Sequence, residues 1–168
     1  IKELDLVLFG GTGDLVMRKL LPALYHLKKD GLLPAGARII AVAREALDTA
    51  AYLETATRNC ENYLGADFDP TEWARFCERI DYLIVDALEP ASYASLVARL
   101  GEAASRERVY YLSTSPNLFA ATCRNLAGAG LIHGRSRVVL EKPLGHDLAS
   151  SRQINDEVGR YFGEDQIY

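Results

Sequence analysis

Short, mostly apolar runs recur along this chain at residues 6–9, 38–42, 80–85, 109–112 and 137–140. Runs of that length, bounded by glycine, proline or charge, suit strands covered on both faces. Between them, residues 14–29, 49–64, 91–104 and 148–162 read as helices. Two further helices start at Pro70 and Pro116. For the first of these, Asp69 is the expected cap, with Pro70 in the first turn and Glu72 closing a capping box. Gly31 with Pro34, Gly65, and Gly128 with Gly130 are the expected stops. Residues 166–168 read as the start of a sixth strand. Buried strands alternating with helices imply an α/β architecture, a doubly wound parallel sheet with right-handed crossovers.

In such a sheet the ligand lies at the carboxyl ends of the strands, and that rule selects the loops that matter. After the first strand comes Gly10-x-x-Gly13-x-x-Val16, running into a helix. Glycines there permit a tight turn and let a phosphate approach the backbone, while the helix N-terminus offers free N–H groups. The pattern is a variant of the dinucleotide fingerprint, so the fold class is Rossmann-type. Val16 stands where a smaller residue is usual, which predicts slightly looser helix–strand packing. Arg44 follows the second strand where an acidic residue would bind a ribose hydroxyl. A guanidinium suits a 2′-phosphate, although Glu45 beside it leaves cofactor choice open, and a solvated arginine is the plainer alternative. Arg18 and Lys19 add positive charge or are simply solvated. The loop Ser113-Thr-Ser-Pro116 leaves room for a flat ring, or merely caps a helix. Lys142, at the end of the fifth strand and before Pro143, is either a ligand-facing cation or a surface lysine.

Composition changes this picture little. The 168 residues are 49% hydrophobic and 25% charged, with a net charge of −4, which gives no reason to expect nucleic acid or an anionic membrane as partner. They suit one domain, with no repeat, linker or transmembrane-length run. Cys60, Cys77 and Cys123 lack metal-ligand spacing and read as reduced residues of a cytoplasmic protein. His26, His133 and His146 share no metal-ligand spacing either, so no metal is expected. Tyr25 and Lys29 have the spacing of a short-chain dehydrogenase pair, but on the first helix they read as a surface pair.

Several motifs in register resemble a known family. Gly10-Gly-Thr-Gly-Asp-Leu, then Arg18-Lys-Leu-Leu-Pro-Ala-Leu24, is similar to the start of glucose-6-phosphate dehydrogenases. Ala43-Arg44, Tyr111-Leu112 with Pro116, and Glu141-Lys-Pro-Leu-Gly-His-Asp-Leu148 follow in the family's order. The resemblance implies that Gly10, Gly11, Thr12, Gly13, Asp14, Leu15, Val16 and Met17 bind the pyrophosphate of NADP, and Arg44 its 2′-phosphate. It implies Asp86 and Ala87 beside the adenosine, Phe119 at the nicotinamide, Lys142 touching both nicotinamide and substrate, and Pro143 as a pivot. Two departures, Val16 for alanine and Ser113-Thr-Ser115 for Ala-x-Pro, bear on packing details.

The implied reaction is hydride transfer from C1 of glucose 6-phosphate to NADP, giving the phosphogluconolactone of the pentose phosphate pathway. The family's motif Arg-Ile-Asp-His-Tyr-Leu-Gly-Lys, which carries the general-base histidine, is expected beyond Tyr168. Residues 1–168 are thus expected to be an NAD(P)-binding domain without a catalytic base. The substrate and dimerisation domain, and a homo-dimer or tetramer, would belong to the full-length enzyme. Two alternatives stand beside this: an NADP-binding domain of the glucose–fructose oxidoreductase type, and a non-catalytic NADP-sensing module.

Overall fold

The computed structural model describes residues 3–101, 105–141 and 146–168. Five strands form one parallel sheet: β1 (Leu4–Phe9), β2 (Arg38–Ala43), β3 (Ile80–Ile84), β4 (Glu107–Leu112) and β5 (Ser136–Leu140). Their spatial order is β3-β2-β1-β4-β5. Sequence order therefore reverses at β1, whose neighbours are β2 on one side and β4 on the other. Ile167 bridges Val138 in parallel, and Tyr168 exchanges backbone bonds with Val138 and Leu140, so the expected sixth strand begins beside β5.

The helices divide between the two faces. Helices α1 (Leu21–Lys29), α2 (Thr49–Leu64) and α3 (Pro70–Cys77) cover one; α4 (Ala94–Leu100), α5 (Phe119–Gly128) and α6 (Leu148–Val158) cover the other. Alternation along the central strands assigns the side chains. Val7, Phe9, Ile40 and Val42 pack toward Leu96, Phe119 and Leu126, whereas Leu8, Ile39 and Ala41 pack toward Leu21, Tyr52 and Phe76.

Local departures from the sequence reading have local causes. The first helix contains a π turn over Val16–Leu20, in which the Leu21 N–H reaches the Val16 carbonyl. Pro22 follows at once; a proline there cannot donate and crowds the preceding turn, which the wider π spacing relieves. Asp69 caps α3, accepting from the Thr71 and Glu72 N–H groups, but no capping box closes. The Asp69 N–H is already bonded to the Tyr25 hydroxyl at 2.9 Å, and the Glu72 carboxylate pairs with Arg75 and Lys28 instead. The same contacts correct the reading of Tyr25 as a surface residue, since it is buried and also donates to the Asp67 carbonyl. Helix α4 is preceded by a 3-10 turn over Pro90–Tyr93 and ends at Leu100, where Gly101 takes φ +66°. The part of its expected range at 102–104 lies outside the described residues. Helix α6 stops at Val158, short of the expected Phe162.

At the amino ends of the strands, the fully buried Asp5 gathers arginines from both neighbours of β1. Arg38 from β2 binds it in a fork at 2.6 and 2.8 Å, and Arg106, just before β4, at 2.9 Å. Burial by itself would raise the Asp5 pKa, but Arg38 and Arg106 overcome it and hold the carboxyl below its ordinary 3.8. A carboxylate with a depressed pKa stabilises the fold above its unfolded value, and that stability is lost as pH falls through the folded one. Asp5→Asn should therefore cost about 3 kcal/mol at pH 7, because the arginines lose a buried partner. Denaturant unfolding of both proteins checks it: the gap narrows as pH falls from 3.8 toward the lower folded value, and a gap that is small or independent of pH contradicts it.

Candidate functional site

At the opposite ends of the strands the chain leaves β1 and β4 toward different faces, and a cleft of about 310 Å³ opens there. Its lining comes from four strand ends: Gly10, Thr12 and Gly13 after β1, Arg44 and Glu45 after β2, Asp86 and Ala87 after β3, Ser113 and Thr114 after β4. This is the place where an open α/β sheet binds its ligand.

The glycine loop is shaped by two requirements. Gly10 takes φ +76°, and a Cβ there would lie 2.5 Å from the Ser113 carbonyl oxygen. Only glycine allows that backbone to cross so close to β4. Gly13, by contrast, has no positive φ; its N–H donates to the Gly10 carbonyl at 2.9 Å and closes the turn. Among the described residues, the N–H groups of Thr12, Asp14, Leu15 and Val16 find no protein acceptor. They are the orphan donors of a helix start, beside a backbone bare of side chain at Gly13. This cradle fits the pyrophosphate of a dinucleotide.

The expected pyrophosphate residues divide accordingly. Gly10, Thr12 and Gly13 line the cleft. Asp14 is exposed and its carboxylate faces Arg18 at 3.9 Å, so Asp14 offers its backbone. Three others are turned away from the cleft. Gly11 is buried against β2, where a Cβ would strike that of Ala41 at 2.8 Å. The Val16 and Met17 side chains are core, and the Met17 N–H is taken by the Gly13 carbonyl. Helix rotation about its axis, which spacing alone does not fix, decides this. Arg18 and Lys19 are exposed and absent from the cleft lining.

Arg44 lies at the cleft rim, exposed, and pairs with no carboxylate among the described residues. Asp86 makes a tight turn in which its carboxylate accepts the Leu88 N–H at 3.0 Å, and the Ser92 hydroxyl accepts the Asp86 N–H. The Ala87 carbonyl accepts from Tyr93 and Asn125, which leaves the residue fixed at the wall. Phe119 is corrected: it is fully buried in the core, because the 3-10 turn over Pro116–Leu118 turns Leu118 to the cleft instead. Thr114 Oγ1 is buried and without a partner among the described residues. Lys142 and Pro143 lie outside the described residues. Their neighbour Glu141 accepts from the Tyr111 hydroxyl at 2.5 Å, joining the ends of β4 and β5. The side chains of Tyr52 and Tyr82, which hold the loops from behind, escaped the sequence reading. A buried tyrosine and a buried phenylalanine leave the same trace in an apolar pattern.

Comparison with known proteins agrees with this geometry. The family described as "Glucose-6-phosphate dehydrogenase, NAD binding domain" matches residues 7–168. The glucose-6-phosphate 1-dehydrogenase of Mycolicibacterium smegmatis is 45% identical over 98% of this chain and 34% of its own length. That of Gluconobacter oxydans is 45% identical over 100% of this chain and 35% of its own. The crystal structure of the Mycobacterium avium enzyme superposes with a TM-score of 0.89 at 36% identity, covering 99% of this chain and 35% of that one. The chain thus spans about a third of the length of the relatives it matches.

The two loop glycines predict different failures. Gly10→Ala strains a positive φ and meets a backbone oxygen, so its melting temperature should fall by several degrees, equivalent to about 1–3 kcal/mol. Gly13→Val, whose Cβ would meet only the Gly10 carbonyl at 3.2 Å, should stay folded and lose dinucleotide binding. Melting curves with and without NADP separate the two, and undiminished NADP binding by folded Gly13→Val would sink the cradle.

Proposed function

The chain belongs to the glucose-6-phosphate dehydrogenase family, and on that premise we propose that it is the coenzyme-binding domain of an NADP-dependent glucose-6-phosphate 1-dehydrogenase. The observation that carries this is the meeting, in one cleft, of the glycine cradle, Arg44 and the Asp86–Ala87 wall at the reversal point of the sheet. The cradle receives the pyrophosphate, and Arg44 at the rim receives the 2′-phosphate. Asp86 and Ala87 border the adenosine. The family resemblance assigns Lys142 to the nicotinamide and the sugar phosphate, and Pro143 to a pivot between them. The family assignment favours this over a glucose–fructose-oxidoreductase-type domain or a separate sensing module.

The reaction follows from what the cleft supplies and lacks. The glycine cradle and Arg44 would hold NADP, whose nicotinamide would supply the acceptor for a hydride from C1 of glucose 6-phosphate. The cleft fixes the dinucleotide at the strand ends, so orientation is this domain's share of catalysis. A base must also take the O1 proton. No histidine lines the cleft among the described residues, and we assign that base, the sugar site and any dimer or tetramer contacts to the roughly two thirds of its relatives' length that this chain does not match.

Titration with both cofactors tests the reading. Wild type should bind NADP more tightly than NAD, and Arg44→Ala should weaken NADP by at least about 1.5 kcal/mol, roughly tenfold, with NAD little changed. Equal loss for both cofactors would make Arg44 a residue of the fold. Added glucose 6-phosphate should give no growth of NADPH absorbance with these 168 residues; sustained turnover would show that they hold the base.

A further inference from the structure

Two buried tyrosines lie outside the cleft lining, yet each grips one of its loops. Tyr52 on α2 is fully buried, and its hydroxyl donates to the Gly11 carbonyl at 2.7 Å. Tyr82 on β3 is buried too, and its one hydroxyl proton is shared between the Glu45 carbonyl at 2.7 Å and the Ala43 carbonyl at 3.2 Å. Those two carbonyls bracket Arg44. The rings stack on each other, centroids 4.9 Å apart and planes 17° apart. The backbone around them is tied as well. The Tyr82 N–H donates to Thr49 Oγ1 at the start of α2, and the Gly11 N–H donates to the Val42 carbonyl. Core packing asks only for an aromatic ring at each position, which phenylalanine supplies. What remains to be explained is the pair of hydroxyls, both aimed at loop carbonyls of the cleft.

We infer that Tyr82 is a positioning residue for cofactor choice: through the carbonyls on either side of Arg44 it presents the guanidinium to a 2′-phosphate. Tyr52, stacked on it, sets the glycine loop at the matching distance for the pyrophosphate. This rests on the dinucleotide reading of the cleft. The physical reason is preorganisation. An exposed arginine loses conformational freedom when it closes on an anion, and a loop already fixed on both sides of it has less left to lose. Burial pushes the Tyr82 phenol up to about 12, so its donor proton stays in place through neutral pH. Arg44 supplies the charge, and Tyr82 supplies its address.

The test measures Kd for NADP and NAD with this chain as wild type, Tyr82→Phe, Tyr52→Phe, Arg44→Ala and the double variant Arg44→Ala/Tyr82→Phe. Tyr82→Phe should weaken NADP about three- to tenfold and NAD less than about twofold, while Tyr52→Phe weakens both alike. In the Arg44→Ala background, Tyr82→Phe should add nothing, since the tyrosine acts through the arginine. Tyr25→Phe, at an equally buried tyrosine far from the cleft, should lower the melting temperature and leave the cofactor ratio unchanged. Ala46→Gly loosens the same loop from its exposed side and should lower the NADP preference by about twofold; it decides the matter should Tyr82→Phe not fold. An unchanged ratio in these loop variants, or additive losses in the double variant, overturns the inference while leaving the Arg44 reading intact. Failure of the wild type to bind either cofactor overturns both.

Discussion

The structure depends on one close crossing of backbone. As the chain leaves β1 it must turn under the Ser113 carbonyl, at a distance that admits no side chain and with a φ that only glycine tolerates cheaply. Because Gly10 makes that turn, the chain enters the helix with a row of amide groups free and a bare patch of backbone beside them. The crossing falls where the connections of the sheet change faces, so the free amides look into a gap instead of another strand. Fold and ligand site are therefore one feature seen at two scales.

The two ends of β1 play complementary roles. At the amino end, Asp5 and its arginines fix the register of β2 and β4 against β1 with buried charge. At the carboxyl end, Gly10, Gly11 and Gly13 keep side chains off the turn, and polar backbone groups stay available. Between them two apolar faces alternate residue by residue. The result is a sheet that carries free backbone amides at the cleft, where a charged dinucleotide can use them. The Tyr52–Tyr82 stack ties the loops of the cleft, and it does so from inside the core.

Much of this was legible in the sequence, for definite reasons. Buried strands announce themselves as apolar runs, and Asp69-Pro70 and Gly65 mark a helix start and stop through local chemistry alone. Arg44 stood out because this architecture binds its ligand at strand ends, and the structure puts it at the cleft rim. What failed to show depended on rotation and on distant partners. Val16 and Met17 belong to the fingerprint by spacing, yet the helix turns their side chains into the core. Phe119 is displaced from the cleft by a single 3-10 turn. The capping box on α3 was pre-empted by Tyr25, a residue 44 positions away in the chain. Tyr52 and Tyr82 meet only once α2 is laid across the sheet, and no local pattern encodes that meeting.

The central claim is that the amides freed by the Gly10 turn receive a pyrophosphate while Arg44 receives a 2′-phosphate. Amide and arginine side-chain NMR shifts, recorded during titration with NADP and separately with NAD, test it most directly. The account predicts that Thr12, Asp14 and Leu15 amides move with both cofactors, and that the Arg44 guanidinium moves with NADP alone. Shifts centred on Asp5, Arg38 and Arg106 at the other end of the strands, with the glycine loop silent, would contradict it.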